Sequence, residues 1–177
     1  MPEKSIYLID FGGLNAGVHE LEFHVDKTFF AKFENSIIQQ GDIDVLVTID
    51  KKPNIAIVDF TFNGTIASIC DRCLDSLEIE LEGYNELLVK FSPVRNDENE
   101  NGDMDVITLS EREQVLDLSK FIYEYITLQI PFRKVHPEDD KGNSTCNTET
   151  LKEMEKHLKH EHTDDPRWEV LKKINLN

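Results

Sequence analysis

Residues 55–91, IAIVDFTFNGTIASICDRCLDSLEIELEGYNELLVKF, decide the fold. Even positions Ala56, Val58, Phe60, Phe62, Gly64, Ile66, Ser68 and Cys70 are mostly apolar, while the odd positions include Asp59, Thr61, Asn63 and Thr65. A period of two over so long a run predicts a strand with one face in a core and the other in water. After a tight turn the pattern resumes, with Ile79, Leu81, Leu87, Val89 and Phe91 on one face and Glu78, Glu80, Glu82, Glu86 and Lys90 on the other. Two such strands joined by a short turn predict an antiparallel sheet with one wet face.

Working outward toward the N-terminus, residues 43–50 alternate again, with Ile43, Val45, Val47 and Ile49 inward, and 51–54 (KKPN) read as a turn. In 18–25, VHELEFHV, His19, Leu21, Phe23 and Val25 share a face opposite Glu20, Glu22 and His24, which predicts a half-buried strand. Asp26 is placed to cap a short helix over 26–34 carrying Phe29, Phe30 and Phe33, and SIYLIDF at 5–11 adds a further strand. Toward the C-terminus, 92–105 reads as a mobile acidic loop and VITL at 106–109 as a short strand. Asp117 then precedes a helix whose stripe of Leu118, Phe121, Ile122, Tyr125 and Ile126 covers the sheet, and Pro131 ends it. Tyr123 and Tyr125 on this helix read as packing. Residues 136–147 read as loop. Thr150 and Glu153 are spaced as a capping box for a helix to about Lys159, and Asp165-Pro166 as the cap of a last one. The expected architecture is α+β, an antiparallel sheet of long strands covered by helices with a helical C-terminal tail. The expected division is one domain over 1–135 and an extension over 136–177.

The 177 residues carry 35 acidic and 19 basic side chains, a formal net charge of −16. That charge repels nucleic-acid phosphates and argues against DNA as a partner. The local basic groups that could touch RNA are Arg133, Lys134, Lys172 and Lys173, in two short clusters. An acidic surface suits solubility or a basic protein partner. No apolar run reaches the roughly 20 residues of a membrane helix, and no secretory signal is visible at the start. Three cysteines do not make a secreted disulfide framework, so the expected compartment is the cytoplasm.

Cys70-Asp71-Arg72-Cys73 is the one motif with chemical content. Such a pair can hold zinc, form a redox disulfide or do neither. Redox catalysis wants the first cysteine at a helix N-terminus, whereas this pair lies between two strands. A zinc centre needs four ligands, and the sequence reaches four only by adding Cys146 and His136 to the pair. The simplest expectation is two reduced thiols and no cofactor. His157, His160 and His162 read as a solvated tract. Trp168 reads as docking on its own domain. Phosphate-loop, dinucleotide and nucleophile-elbow patterns are absent, and the paired carboxylates lie on outward faces and in loops. No catalytic residues emerge.

Four segments in register resemble the YceD family of large ribosomal RNA subunit accumulation proteins. They are FGGLNAGVHELEF at 11–23, the C-x-R-C-L element at Cys70, Arg72, Cys73 and Leu74, DLSKFIYEYITLQIPF at 117–132, and the closing Asp165-Pro166-Arg167-Trp168 segment at 164–174. His136-Pro137 and the closing DPRW look like the Bacteroidetes branch. Where many relatives carry a Cys-rich stretch that looks like the second half of a zinc site, this chain has Cys146 alone, a departure that argues against zinc here. The resemblance implies a non-enzymatic role in large-subunit biogenesis, with a ribosomal protein, a pre-ribosomal large-subunit particle or rRNA as partner.

Overall fold

The structure, a computed structural model, describes residues 6–92, 105–110 and 114–158. These form strands β1 (Leu8–Asp10), β2 (Gly17–Val25), β3 (Gly41–Lys51), β4 (Ile55–Ile69), β5 (Ser76–Ser92), β6 (Asp105–Ser110) and β7 (Val115–Asp117), with helices α1 (Lys27–Phe30), α2 (Ser119–Leu128) and α3 (Thr148–Leu158). The chain divides into two units, Met1–Ile69 with Ser76–Lys134, and Cys70–Asp75 with Val135–Asn177.

The first unit is built on a five-stranded sheet in the order β2-β3-β4-β5-β6. The alternation becomes burial: Ile43, Val45, Val47 and Ile49 of β3, Ala56, Val58, Phe60 and Phe62 of β4, and Leu81, Leu87 and Val89 of β5 are all buried. Register aligns these sets, pairing Val45 with Phe62 and Val58 with Leu87, so apolar residues of neighbouring strands stand side by side on one face. Gly64 lies opposite Ile43, and a Cβ there would meet the Asp42 carbonyl oxygen at 2.1 Å, so only glycine lets β3 and β4 close at this point.

The sheet is mixed where wholly antiparallel pairing is expected, because β6 runs parallel to β5. The physical reason is connection length. β3, β4 and β5 follow one another through short turns, whereas twelve residues separate Ser92 from Asp105, enough for a crossover. Of the acidic loop expected over 92–105, Ser92 ends β5 and Asp105 begins β6, and 93–104 lie outside the described residues. The N-terminal strand forms, but it pairs with β7 in a separate two-stranded sheet.

α2 presents Ile122, Tyr125 and Ile126 to the interior, as its stripe predicts, and the Tyr125 ring meets Phe60 edge-on at 5.2 Å. The buried Tyr125 hydroxyl donates to Asp105 at 2.8 Å; burial and then that carboxylate push its pKa up. α2 stops at Leu128, and Gln129 reaches back over Gly83, where a Cβ would meet its Cδ at 2.4 Å, to donate to Asn85 at 3.0 Å. Asp26 caps α1 by accepting from the backbone of Thr28 and Phe29, as expected, but α1 is only four residues long. The chain continues in i→i+3 turns at Lys32 and Phe33 and reverses at Asn35, whose φ is 58°. Tyr123 stacks on Phe33 at 4.1 Å, in keeping with a packing role.

In the second unit, Glu138 and Ser144 form an isolated antiparallel bridge around a loop organised by Asp139, which accepts from the backbone of Lys141 and Asn143. The cap of α3 is corrected from the Thr150–Glu153 box to Asn147, whose Oδ1 accepts from the backbone of Glu149 and Thr150. Asn147 wins because the helix begins at Thr148, leaving Thr150 already inside its first turn. No residue of α3 is buried. The expected last helix and Asp165, Pro166, Arg167 and Trp168 lie outside the described residues.

Candidate metal centre and acidic sheet face

The chain leaves β4 into a six-residue turn belonging to the second unit. The Leu74 N–H donates to the Cys70 carbonyl at 3.0 Å and the Cys70 N–H to the Asp75 carbonyl at 2.9 Å. Closing the turn puts Leu74 in the left-handed region, φ 62°, with its side chain exposed. This is a conformation an L-residue adopts at a cost of roughly 1–2 kcal/mol. The loop Val135–Asn147 then supplies His136 and Cys146, and Asn147 holds the turn by donating to the Asp75 carboxylate at 3.1 Å.

The result is one cluster. Cys70, Cys73, His136 and Cys146 each offer a donor atom, and the four atoms lie within 4.8 Å of one another. Cys70 Sγ and Cys146 Sγ are 3.8 Å apart, Cys73 Sγ and His136 Nδ1 3.4 Å, and Cys146 Sγ and His136 Nδ1 3.8 Å. All three cysteines are free thiols and fully or nearly fully buried. Burial pushes the Cys70 thiol up, but backbone N–H groups of Cys73, Arg72 and His136 outweigh it and bring the pKa down to about 5. The Ser144 hydroxyl holds Cys146 down against burial, with His136 assisting, while burial pushes Cys73 up. The set therefore favours thiolate at some sulfurs more than at others, as closely spaced thiols must.

Around the cluster, Arg72 Nη1 donates to Ser144 Oγ at 3.0 Å, and Ser144 Oγ accepts from the Cys146 N–H at 3.2 Å. Arg72 Nε is buried with no hydrogen-bond partner among the described residues. Sequence reasoning brought the four donors into view, and Arg72 as part of the C-x-R-C-L element, but missed Ser144. The available signal was Ser144, two residues before Cys146. His157 lies exposed on α3, and His160 and His162 fall outside the described residues.

The first unit carries a different feature, the outward face of its sheet. Register sets its residues in rows across the strands. One row reads Glu20, Thr48, Asp59, Glu86; the next Glu22, Leu46, Thr61, Tyr84; the next His24, Asp44, Asn63, Glu82; and the next Asp42, Thr65, Glu80. His24 is the one basic side chain in these four rows. Its ring sits 2.9 Å from Asp44 and 3.8 Å from Asp42, and the Asp44 hydrogen bond raises its pKa. The Tyr84 hydroxyl donates to Asp59 at 2.6 Å, which pushes its pKa up to about 12. Leu46 and Tyr84 stand exposed between the acidic rows. Of the groups read as RNA contacts, Arg133 is exposed and Lys134 half-buried after α2, while Lys172 and Lys173 lie outside the described residues.

Among the described residues, no helix is long and apolar enough to cross a membrane. No curated protein and no solved structure matches the chain. One sequence profile does, described as "Large ribosomal RNA subunit accumulation protein YceD", over residues 58–175. That span begins in β4 and takes in the C-x-R-C-L turn, α2, the loop bearing His136 and Cys146, and the closing DPRW segment. With two thirds of its length matched in one run, the chain belongs to the YceD family.

Proposed function

We propose that this chain is a non-enzymatic, cytoplasmic factor in the accumulation of large-subunit ribosomal RNA, acting by binding a basic ribosomal protein or a pre-ribosomal particle. The family match over residues 58–175 carries the reading, since the family is named for accumulation of that RNA and not for a reaction. The acidic sheet face supports protein over bare RNA as the direct contact. Its rows present Glu22, Asp44, Glu80 and Glu82 to solvent around exposed Leu46 and Tyr84. A basic segment with an apolar side chain or two is complementary to that surface, whereas a phosphate backbone is repelled by it.

The experiment is sedimentation of tagged protein from lysate at low and moderate salt, with fractions probed for large-subunit precursor RNA and ribosomal proteins. Co-migration with precursors is expected, and Glu80→Lys with Glu82→Lys is expected to abolish it. Protein remaining at the top of the gradient under both salts sinks the reading. Co-migration that survives the charge reversal but falls steeply with salt assigns the contact to RNA instead, with Arg133 and Lys134 the first residues to change.

A further inference from the structure

We propose that Cys70, Cys73, His136 and Cys146 hold a single structural zinc ion, which serves as the interior of the second unit. Three independent features of the molecule carry this.

The first is spacing. Zinc bound tetrahedrally to thiolate sulfur at about 2.3 Å and imidazole nitrogen at about 2.05 Å sets ligand atoms about 3.8 Å apart for two sulfurs and about 3.5 Å for sulfur and nitrogen. The separations of 3.8, 3.4 and 3.8 Å match three of the six edges of such a tetrahedron to within about 0.3 Å, and all four donor atoms lie within 4.8 Å of one another. A disulfide would need sulfurs about 2.05 Å apart, which this packing does not approach.

The second is that the described residues of this unit offer no other core. The buried apolar residues described in this unit are the three cysteines themselves, and α3 buries nothing. Units this small rarely hold a fold by apolar burial alone, and a metal or a cross-link is the common remedy.

The third is charge. One zinc and three thiols give three released protons and a centre with one excess negative charge. The guanidinium of Arg72, tethered to Ser144 and with Nε buried and unbonded among the described residues, supplies the balancing cation. Four protein ligands leave no open position, so the centre is structural and not catalytic. Soft sulfur donors with one imidazole in tetrahedral array select zinc over the hard divalent cations. The proposal stands independently of the ribosomal reading.

The test uses the full chain purified under reducing conditions. One zinc per chain is expected, removed by a chelator and restored by zinc alone. Cobalt in its place should give the absorption bands of tetrahedral thiolate coordination. Cys146→Ser and His136→Ala should lose stoichiometric metal. His136→Cys, which keeps four donors, and His157→Ala should retain it. Arg72→Met should weaken affinity roughly 10–100-fold. Chelation should raise hydrogen exchange over residues 136–158 and leave β3, β4 and β5 unchanged. A wild-type chain that neither carries zinc nor takes it up overturns the proposal, as does full metal retention in Cys146→Ser. If circular dichroism shows that a ligand variant has lost the sheet, wild-type stoichiometry and the exchange response to chelation decide alone.

Discussion

In the first unit, Phe60 lies buried between Val47 of β3 and Asn85 of β5 with Tyr125 of α2 edge-on to its ring. In the second, the buried positions among the described residues are Cys70, Cys73 and Cys146, tied down by backbone N–H groups, a serine hydroxyl and an imidazole. One region derives its stability from apolar area, which is non-directional and tolerates a lost contact at a graded cost. The other depends on a few directional donors, where removal of one leaves the rest without a geometry. Two kinds of stability therefore sit in one chain, and perturbations should separate them.

The largest separation should come from Phe60→Ala, expected to cost about 3–5 kcal/mol in denaturant unfolding followed by circular dichroism; an unchanged midpoint would refute the core described for the sheet. Gly64→Ala should follow, at about 1–3 kcal/mol, because the new methyl meets backbone that cannot swing aside. Neither change should reach α3. Asn147→Ala removes the cap of α3 and should cost about 1 kcal/mol, read as faster exchange across Thr148–Leu158 with the sheet amides unaltered. Leu74→Gly runs the other way: relief of the left-handed backbone should slow exchange within the turn by a factor corresponding to about 1 kcal/mol. If exchange there speeds up instead, the turn is not where strain lies.

The smallest effect is electrostatic and belongs to the sheet face. His24 titrates above its ordinary 6.5 because Asp44 accepts from its ring, with Asp42 adding to the pull. A raised folded pKa means that the stabilising contribution is fully present below pH 6.5 and fades as pH rises through the folded value. NMR titration should show the elevated midpoint, and Asp44→Asn should bring it back toward 6.5. A His24 midpoint at 6.5 in the unaltered chain would remove the ion pair from the account.

How much of this was legible beforehand follows from what each feature depends on. The long strands were readable because Ala56 to Cys70 and Leu77 to Phe91 obey a period fixed by backbone geometry. The parallel placement of β6 was not, since VITL carries no mark of direction and pairing is decided across distant sequence. The α3 cap was misplaced by three residues because Asn147 and Thr150 both have capping side chains and only the backbone chooses between them. At the cluster, all four donors were visible, yet a lone Cys146 where many relatives carry a Cys-rich stretch argued against zinc. Only folding brings His136 within 3.4 Å of Cys73 across 63 residues of sequence.

That same separation has a consequence in time. Synthesis delivers the turn Cys70–Asp75 long before its partners, and at about 5–20 residues per second His136 follows Cys73 by about 3–13 seconds, with Cys146 later still. Through that interval β4 and β5 can pair around a turn that holds two of its four donors. The second unit is thus the last part of the described chain able to close, and its closure marks a polypeptide elongated past residue 146.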